Sequence, residues 1–328
     1  MTWAVALWLA AGFVLIIRGG SYFVDSSVGI ARALRVPRVI IGCTIVSVAT
    51  TSPELIVSAT ASLQSNPGFA IGNAVGSVIG NIGFILALLV LIRPVKIGQG
   101  DFALPSLVMI VMGFVMLGLA WDLTLARWNG PVLIALGIAY LLFDFLRHAR
   151  AGLADVGEAD AEDGAKDAAA PSRSRPLHLH VVFFVVGVTM VVVGSRLLVS
   201  NGVKVAEWLG VPPMVIGLTL VAIGTSLPEL VTAITSAAKG VSDLSVGNIV
   251  GANIMNLTLV TGTAALLSPK PLDMSRLSQL YNLPAMLVIC IALVIFGRTH
   301  AALKRWEGAA LLILYLAYLG GLFGFVRQ

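Results

Sequence analysis

Thr50-Thr51-Ser52-Pro53-Glu54 returns 175 residues later as Thr225-Ser226-Leu227-Pro228-Glu229, and each copy sits inside a stretch apolar enough to cross a membrane. A carboxylate at the centre of a bilayer costs about 2.5–3.5 kcal/mol on insertion scales, so two at matched positions point to joint use. The proline beside each glutamate lacks an amide hydrogen and interrupts a regular helix. Hydroxyl side chains crowd both copies. Carboxylate, hydroxyl and freed carbonyl oxygens at mid-membrane are ligands that suit a hard cation.

Residues three and four apart are neighbours on a helix, which puts Ser47, Thr50, Thr51 and Glu54 on or near one face. The stretch from Ala222 to Glu229, with Thr225 and Ser226 inside it, offers the same geometry from the other copy. The following apolar stretches add Ser77 and Asn81, four apart, whose counterparts are Ala252 and Asn256, so this second pair is not chemically symmetric. Asn81 and Asn256 are expected to line the site, and Asn73 and Asn248 to brace the broken helices. Gly72, Gly76, Gly80 and Gly83, echoed by Gly247 and Gly251, allow close backbone approach. Transition metals are disfavoured: His148, His178, His180 and His300 fall outside the predicted bilayer core, and Cys43 and Cys290 are isolated in apolar stretches. Cys43 reads as a packing residue. Two glutamates carry a formal charge of −2, which one Ca2+, two Na+ or two protons would neutralise.

Such a site needs membrane-spanning elements, and the composition supplies them. The 328 residues are 58% hydrophobic and 11% charged, with a mean hydropathy of +0.97, too apolar for a soluble domain of this length. Ten spans are predicted at 4–24, 38–62, 68–92, 103–120, 128–147, 179–200, 211–237, 243–267, 281–297 and 306–326. The first lacks a basic residue ahead of its apolar run and is expected to be retained rather than cleaved. An outside N-terminus places 14 of the 21 basic residues in cytoplasmic loops and six outside, as the positive-inside rule requires. The net charge of +5 therefore calls for no nucleic-acid partner. Trp3, Trp8, Trp121, Trp128 and Trp306 fall near predicted interfaces. Asp144, at the end of span 5, is expected to be solvated or paired with Arg147. Arg18, Asp25 and Arg196 read as interfacial, snorkelling side chains.

The offset of 175 extends beyond the glutamates. Val36-Pro37 matches Val211-Pro212, Ile41-Gly42 matches Ile216-Gly217, Thr44 and Val46 match Thr219 and Val221, and Gly72-Asn73-Ala74-Val75-Gly76 matches Gly247-Asn248-Ile249-Val250-Gly251. Residues 1–147 and 179–328 are thus expected to be two five-span repeats. An odd number of spans makes them enter the membrane from opposite sides, the inverted topology on which many secondary transporters are built. Residues 148–178, with the acidic run from Ala154 to Asp167, read as a flexible cytoplasmic linker. That run lacks the ligand spacing of an EF-hand loop.

The doubled segments resemble the two α-repeats of the sodium/calcium exchanger family, within the cation/calcium antiporter superfamily, and most closely its prokaryotic ten-span members. The resemblance covers the whole chain apart from 148–178. It implies an all-α polytopic protein of the prokaryotic inner membrane that exchanges Na+ for Ca2+ by alternating access, with spans 1 and 6 sliding across the rest. Carried over residue by residue, it implies a binding set of Ser47 (by its carbonyl), Thr50, Thr51, Glu54, Ser77 and Asn81. In the second repeat the set is Ala222 (by its carbonyl), Thr225, Ser226, Glu229 and Asn256. Three departures stand out: T-T-S-P-E where T-S-L-P-E is usual, Ala252 at a common serine position, and Asn256 where some members have aspartate.

H+/Ca2+ antiport, with the same glutamates as proton carriers, is the alternative coupling. A channel would build its filter from a ring of subunits, whereas here one chain supplies both halves and a monomer suffices for a site. An intramembrane hydrolase needs a nucleophile with its base or paired aspartates, and the spans offer neither. The chain is therefore expected to be a transporter and not an enzyme, with Na+, Ca2+ and the lipid bilayer as its partners and no cofactor.

Overall fold

A computed structural model describes residues 3–97, 99–154, 176–209, 222–299 and 302–326. Helices stand at each of the ten predicted spans. Among the described residues, seven are long and apolar enough to cross a membrane: Trp3–Leu34, Pro67–Ile92, Phe102–Leu119, Asn129–Arg147, Leu177–Val205, Ser242–Leu267 and Ser278–Thr299. Arg38–Thr50 and Ser52–Leu63 make span 2 as a pair bent by 43°. Span 7 is described from Ala222 onward, as Ala222–Thr225 and Leu227–Ala238, and span 10 is Arg305–Val326. The chain is an all-α polytopic membrane protein.

The start of predicted span 7, with Val211, Pro212, Ile216, Gly217, Thr219 and Val221, lies outside the described residues. So does most of the predicted linker, including all of its acidic run beyond Ala154. The helix of span 5 continues to Ala154, past the boundary expected at 147.

The inverted repeat shows in which short strands pair. Val95–Lys96, after span 3, pairs antiparallel with Ala302–Leu303, before span 10. Thr124–Leu125, before span 5, pairs antiparallel with Leu272–Asp273, after span 8. Val95 faces Leu303 in the first pair and Leu272 faces Leu125 in the second, so the second pair is the first with the halves exchanged. With ten spans, the two pairs lie on opposite faces of the membrane.

Small residues set how closely the spans approach. Spans 1 and 6 lie against each other through glycines: a Cβ on Gly12 would come 3.0 Å from the Gly194 carbonyl, and one on Gly19 would come 3.0 Å from that of Gly187. Gly12 and Gly187, and Gly19 and Gly194, are repeat counterparts at the offset of 175. The rings of Phe23 and Phe184 pack beside them, tilted by 44° with centroids 5.0 Å apart. Span 8 is the central helix, with every residue from Leu244 to Met255 buried, Ser245, Asn248 and Asn253 included. It lies against span 2 on its glycines. A Cβ on Gly247 would run into the Val39 carbonyl, and one on Gly251 into that of Cys43. Cys43 is buried at this contact, as its reading as a packing residue required.

Gly247→Val forces span 8 away from span 2 and is expected to destabilise the protein by about 1–3 kcal/mol, read as a lower Tm in detergent. Gly68→Ala at the start of span 3, where an added Cβ meets nothing within 4 Å, should leave Tm unchanged or slightly raised.

Candidate cation site

Spans 2 and 7 break at matched residues. Thr51 (φ −79°, ψ −2°) ends the first segment of span 2, and Ser226 (φ −90°, ψ 10°) occupies the same place in span 7. Pro53 and Pro228 fall in the first turn of the helix that follows, where a missing N–H is tolerated. The carbonyl of Ala49, four residues before Pro53, takes the Ser52 hydroxyl instead, at 2.8 Å. Just before the break, Gly42–Val46 widens into a π-helical turn, a feature that recurs at functional sites. The Ser47 hydroxyl donates into that turn, to the carbonyls of Cys43 (2.7 Å) and Thr44 (2.9 Å). The Ser47 carbonyl, expected as a ligand, accepts the Thr51 N–H at 2.9 Å and has the Thr50 hydroxyl at 3.4 Å.

Glu54 and Glu229 begin the helices after the two breaks. Both are fully buried, and the charge on Glu229 acts on Glu54. Each meets a hydroxyl of the opposite repeat. Ser226 Oγ donates to Glu54 Oε1 at 3.4 Å, and the Thr50 hydroxyl lies beside the Glu229 carboxylate. Thr50 also reaches Asn248 Oδ1 at 3.0 Å and the Ser47 carbonyl at 3.4 Å, so its single proton faces two acceptors. Thr51 Oγ1, Glu54 Oε2 and both carboxylate oxygens of Glu229 are buried without a hydrogen-bond partner among the described residues. Buried polar atoms ordinarily have partners. This concentration of bare oxygens therefore fits a cation as the group they serve.

Spans 3 and 8 flank the glutamates. Asn81 and Asn256 each open a π-helical turn, Asn81–Leu86 and Asn256–Val260, at repeat-related positions. Both asparagines are fully buried. Asn81 Nδ2 donates to Asn253 Oδ1 at 3.1 Å, while both polar atoms of the Asn256 amide and Oδ1 of Asn81 lack described partners. Ser77 is buried one turn before Asn81. Thr225 lies half-buried at the end of the short helix Ala222–Thr225, which also holds Ala222. Ala252 is buried and brings no side-chain oxygen.

The two asparagines expected as braces differ. Asn73 does brace, donating from Nδ2 to the Glu54 carbonyl (3.3 Å) and the Ser58 hydroxyl (2.9 Å). Asn248 instead accepts from Thr50 and leaves its Nδ2 without a described partner. Asn253 went unnoticed in the sequence because its repeat counterpart is Val78, so repeat matching passes over it.

Asp144 is a correction. It is neither solvated nor interfacial but fully buried, and Tyr140 donates its hydroxyl to Oδ2 at 3.4 Å. Asp25 pairs with Lys239 and Arg38 with Asp243 (2.9 Å), each pair joining the two repeats. Trp3, Trp121, Trp128 and Trp306 are well exposed, as an interfacial belt requires. Among the described residues no three His, Cys, Asp or Glu side chains gather into a metal centre, which leaves the two glutamates with neutral oxygens around them.

The chain matches the family described as sodium/calcium exchanger protein over residues 4–146 and 179–324. The inner membrane protein YrbG of Escherichia coli is 35% identical to it over 305 residues, covering 91% of this chain and 90% of that protein. The sodium/calcium exchanger MaX1 of Methanosarcina acetivorans is 31% identical over 342 residues, covering 96% of this chain and 97% of that one. Among solved structures, the sodium-calcium exchanger NCX_Mj superposes with a TM-score of 0.82 at 28% identity, over 98% of this chain and 99% of that one. With matches across both repeats and over nearly the full length of these relatives, the chain belongs to the sodium/calcium exchanger family of membrane transporters.

Proposed function

We propose that the protein is a Na+/Ca2+ antiporter that binds its ions between spans 2, 3, 7 and 8, with Glu54 and Glu229 as the central ligands. The observation that carries this reading is the setting of the glutamates: both are fully buried with carboxylate oxygens left bare, and Ser226 of the second repeat donates to Glu54 of the first. A hydroxyl can donate to a carboxylate or turn a lone pair toward a cation. Thr50, Thr51, Thr225 and Ser226 can thus serve the glutamates in one state and an ion in another. Carbonyls of Ser47 and Ala222, the Ser77 hydroxyl, and the amide oxygens of Asn81 and Asn256 complete the six to eight oxygens that Ca2+ prefers.

The same arrangement accounts for exchange rather than one-way passage. Two carboxylates held together in low dielectric are strongly unfavourable without counter-charge. Changing the side to which the site opens is therefore easy only when cations neutralise the pair. One Ca2+ or two Na+ match the formal charge, and a third Na+ on the neutral oxygens would make the cycle electrogenic. Binding energy selects the face that opens, because a ligand shifts a conformational equilibrium only by its differential affinity for the two states. The inner membrane, an outside N-terminus and a cytoplasmic linker fit the basic-residue bias of the loops and the relative YrbG, an inner membrane protein.

Glu54→Gln and Glu229→Gln keep the size of the side chain and remove its charge, and each should abolish Ca2+ uptake into proteoliposomes driven by an outward Na+ gradient. Either variant exchanging at the wild-type rate would remove the central claim. Thr50→Ala and Ser226→Ala each delete one hydroxyl beside a carboxylate and should weaken apparent Ca2+ affinity about tenfold, measured from the concentration dependence of uptake. Wild-type uptake should require internal Na+ and persist when the pH gradient is collapsed. Uptake that ignores Na+ and follows the pH gradient would replace this reading with H+/Ca2+ antiport.

A further inference from the structure

The repeat makes one part of the molecule an internal control for another. Beyond its break, span 2 closes on span 8, where the Ser62 hydroxyl donates to the Ala264 carbonyl. The counterparts at the offset of 175 are Ala237 on span 7 and Leu89 on span 3. There the gap is not closed. A cavity of about 210 Å³ lies between spans 3 and 7, lined by Ile85, Leu89, Ile92, Leu230, Ala233 and Ala237, with Leu88, Ile234, Ala238 and Arg93 completing the wall. Ile92 and Ile234, 60% and 50% exposed, stand on the outer surface that a bilayer would cover.

Apart from Arg93 the lining is apolar, and an apolar cavity of this kind stays dry and takes an apolar guest. Its mouth is cationic. Arg93 donates from Nη1 to the Ala237 carbonyl at 2.7 Å, leaving most of its five donors to spare, and its side chain is exposed. Arg305, brought from span 10, places Nη2 3.5 Å from the Ile92 carbonyl, one residue away. Lys239, the next cation along this rim, is already paired with Asp25. Of this arginine pair the symmetry-related position keeps Arg127, which bonds the Leu266 carbonyl at 2.9 Å, while Ser268 stands where Arg93 would be.

We propose that this groove binds an anionic phospholipid, with one acyl chain between spans 3 and 7 and the phosphate held between Arg93 and Arg305. A guanidinium pair at the rim suits a phosphate, since arginine meets phosphate oxygens with paired donors. Basic pockets between membrane helices are where anionic head groups dock. The dry cavity fixes the source as a lipid, because free phosphate has no use for it.

Native mass spectrometry of the detergent-purified protein, titrated with phosphatidylglycerol or with phosphatidylcholine of the same chains, tests this directly. The wild type should retain phosphatidylglycerol about fivefold better than phosphatidylcholine. Arg93→Gln with Arg305→Gln should erase that preference, whereas Arg93→Lys, which keeps the charge, and Arg127→Gln at the related mouth should preserve it. Ala238→Leu, filling the groove from an exposed position, should reduce retention of both lipids. A wild type that holds the two lipids equally, a double variant that keeps the preference, or an unchanged Ala238→Leu overturns the proposal. So does displacement of phosphatidylglycerol by glycerol phosphate alone. Each variant is read only beside a monodisperse elution profile and a wild-type Tm without lipid, and for a double variant failing that check the single Arg305→Gln serves, expected to lower the preference and overturning the proposal if it does not.

Discussion

Two carboxylates in a membrane interior, close enough to feel each other's charge, set the terms for the rest of the molecule. Neither would stay ionised there alone, since a buried charge needs pairing or a metal. The protein leaves Glu54 Oε2 and both oxygens of Glu229 without hydrogen-bond partners among the described residues, and the one side chain that donates to Glu54 there is the neutral hydroxyl of Ser226. In the proposed mechanism, a fixed cation would neutralise the pair permanently and leave no place for a transported ion. The broken helices follow from this, because an unbroken span presents side chains only, whereas a break also frees backbone oxygen where it lines a cavity. So do the glycines of span 8, which bring its asparagines against span 2 with no side chain between.

The inverted repeat supplies these parts in duplicate, and the molecule uses the duplication in two ways. Where the halves match, as in the strand pairs and the breaks of spans 2 and 7 at Thr51 and Ser226, one geometry serves both sides of the membrane. Even the bracing contact is mirrored with donor and acceptor exchanged: Ser58 donates to the Ala70 carbonyl, and Ser245, at the place of Ala70, donates to that of Ala233. Where the halves differ, they differ in chemistry. Asn248 meets Thr50 of the other repeat while Asn73 meets Glu54 and Ser58 of its own, and the gap closed by Ser62 is an apolar groove at Ala237.

Much of this was legible in the sequence, for identifiable reasons. A glutamate in an apolar run is conspicuous, and a matched pair at a constant offset more so; ten spans and their inversion followed from hydropathy and an odd span count. The glycines of span 8 were legible as close-approach positions, though not the carbonyls they meet. What stayed hidden depends on which helix lies beside which. Asp144 reads as interfacial from its place in span 5, and only the packing of Tyr140 and its neighbours buries it. Asn253 is hidden by Val78, its apolar counterpart, and its bond to Asn81 joins residues 172 apart. Thr50 and Asn248 were both visible as polar residues, but their contact across the repeats was not.

The two small strand pairs bear on how the chain is made. Each joins a connection in the first repeat to one in the second, Val95 to Leu303 and Leu125 to Leu272. A chain inserted from its N-terminus therefore places spans 3 to 5 in the membrane well before their partners exist, and contacts so distant in sequence form slowly. The first five spans must wait as a half-built bundle, with the glutamate of span 2 and the polar face of span 3 still lacking span 8. Assembly quality control would meet the protein in that interval, before Glu54 and Glu229 have been brought into one membrane bundle.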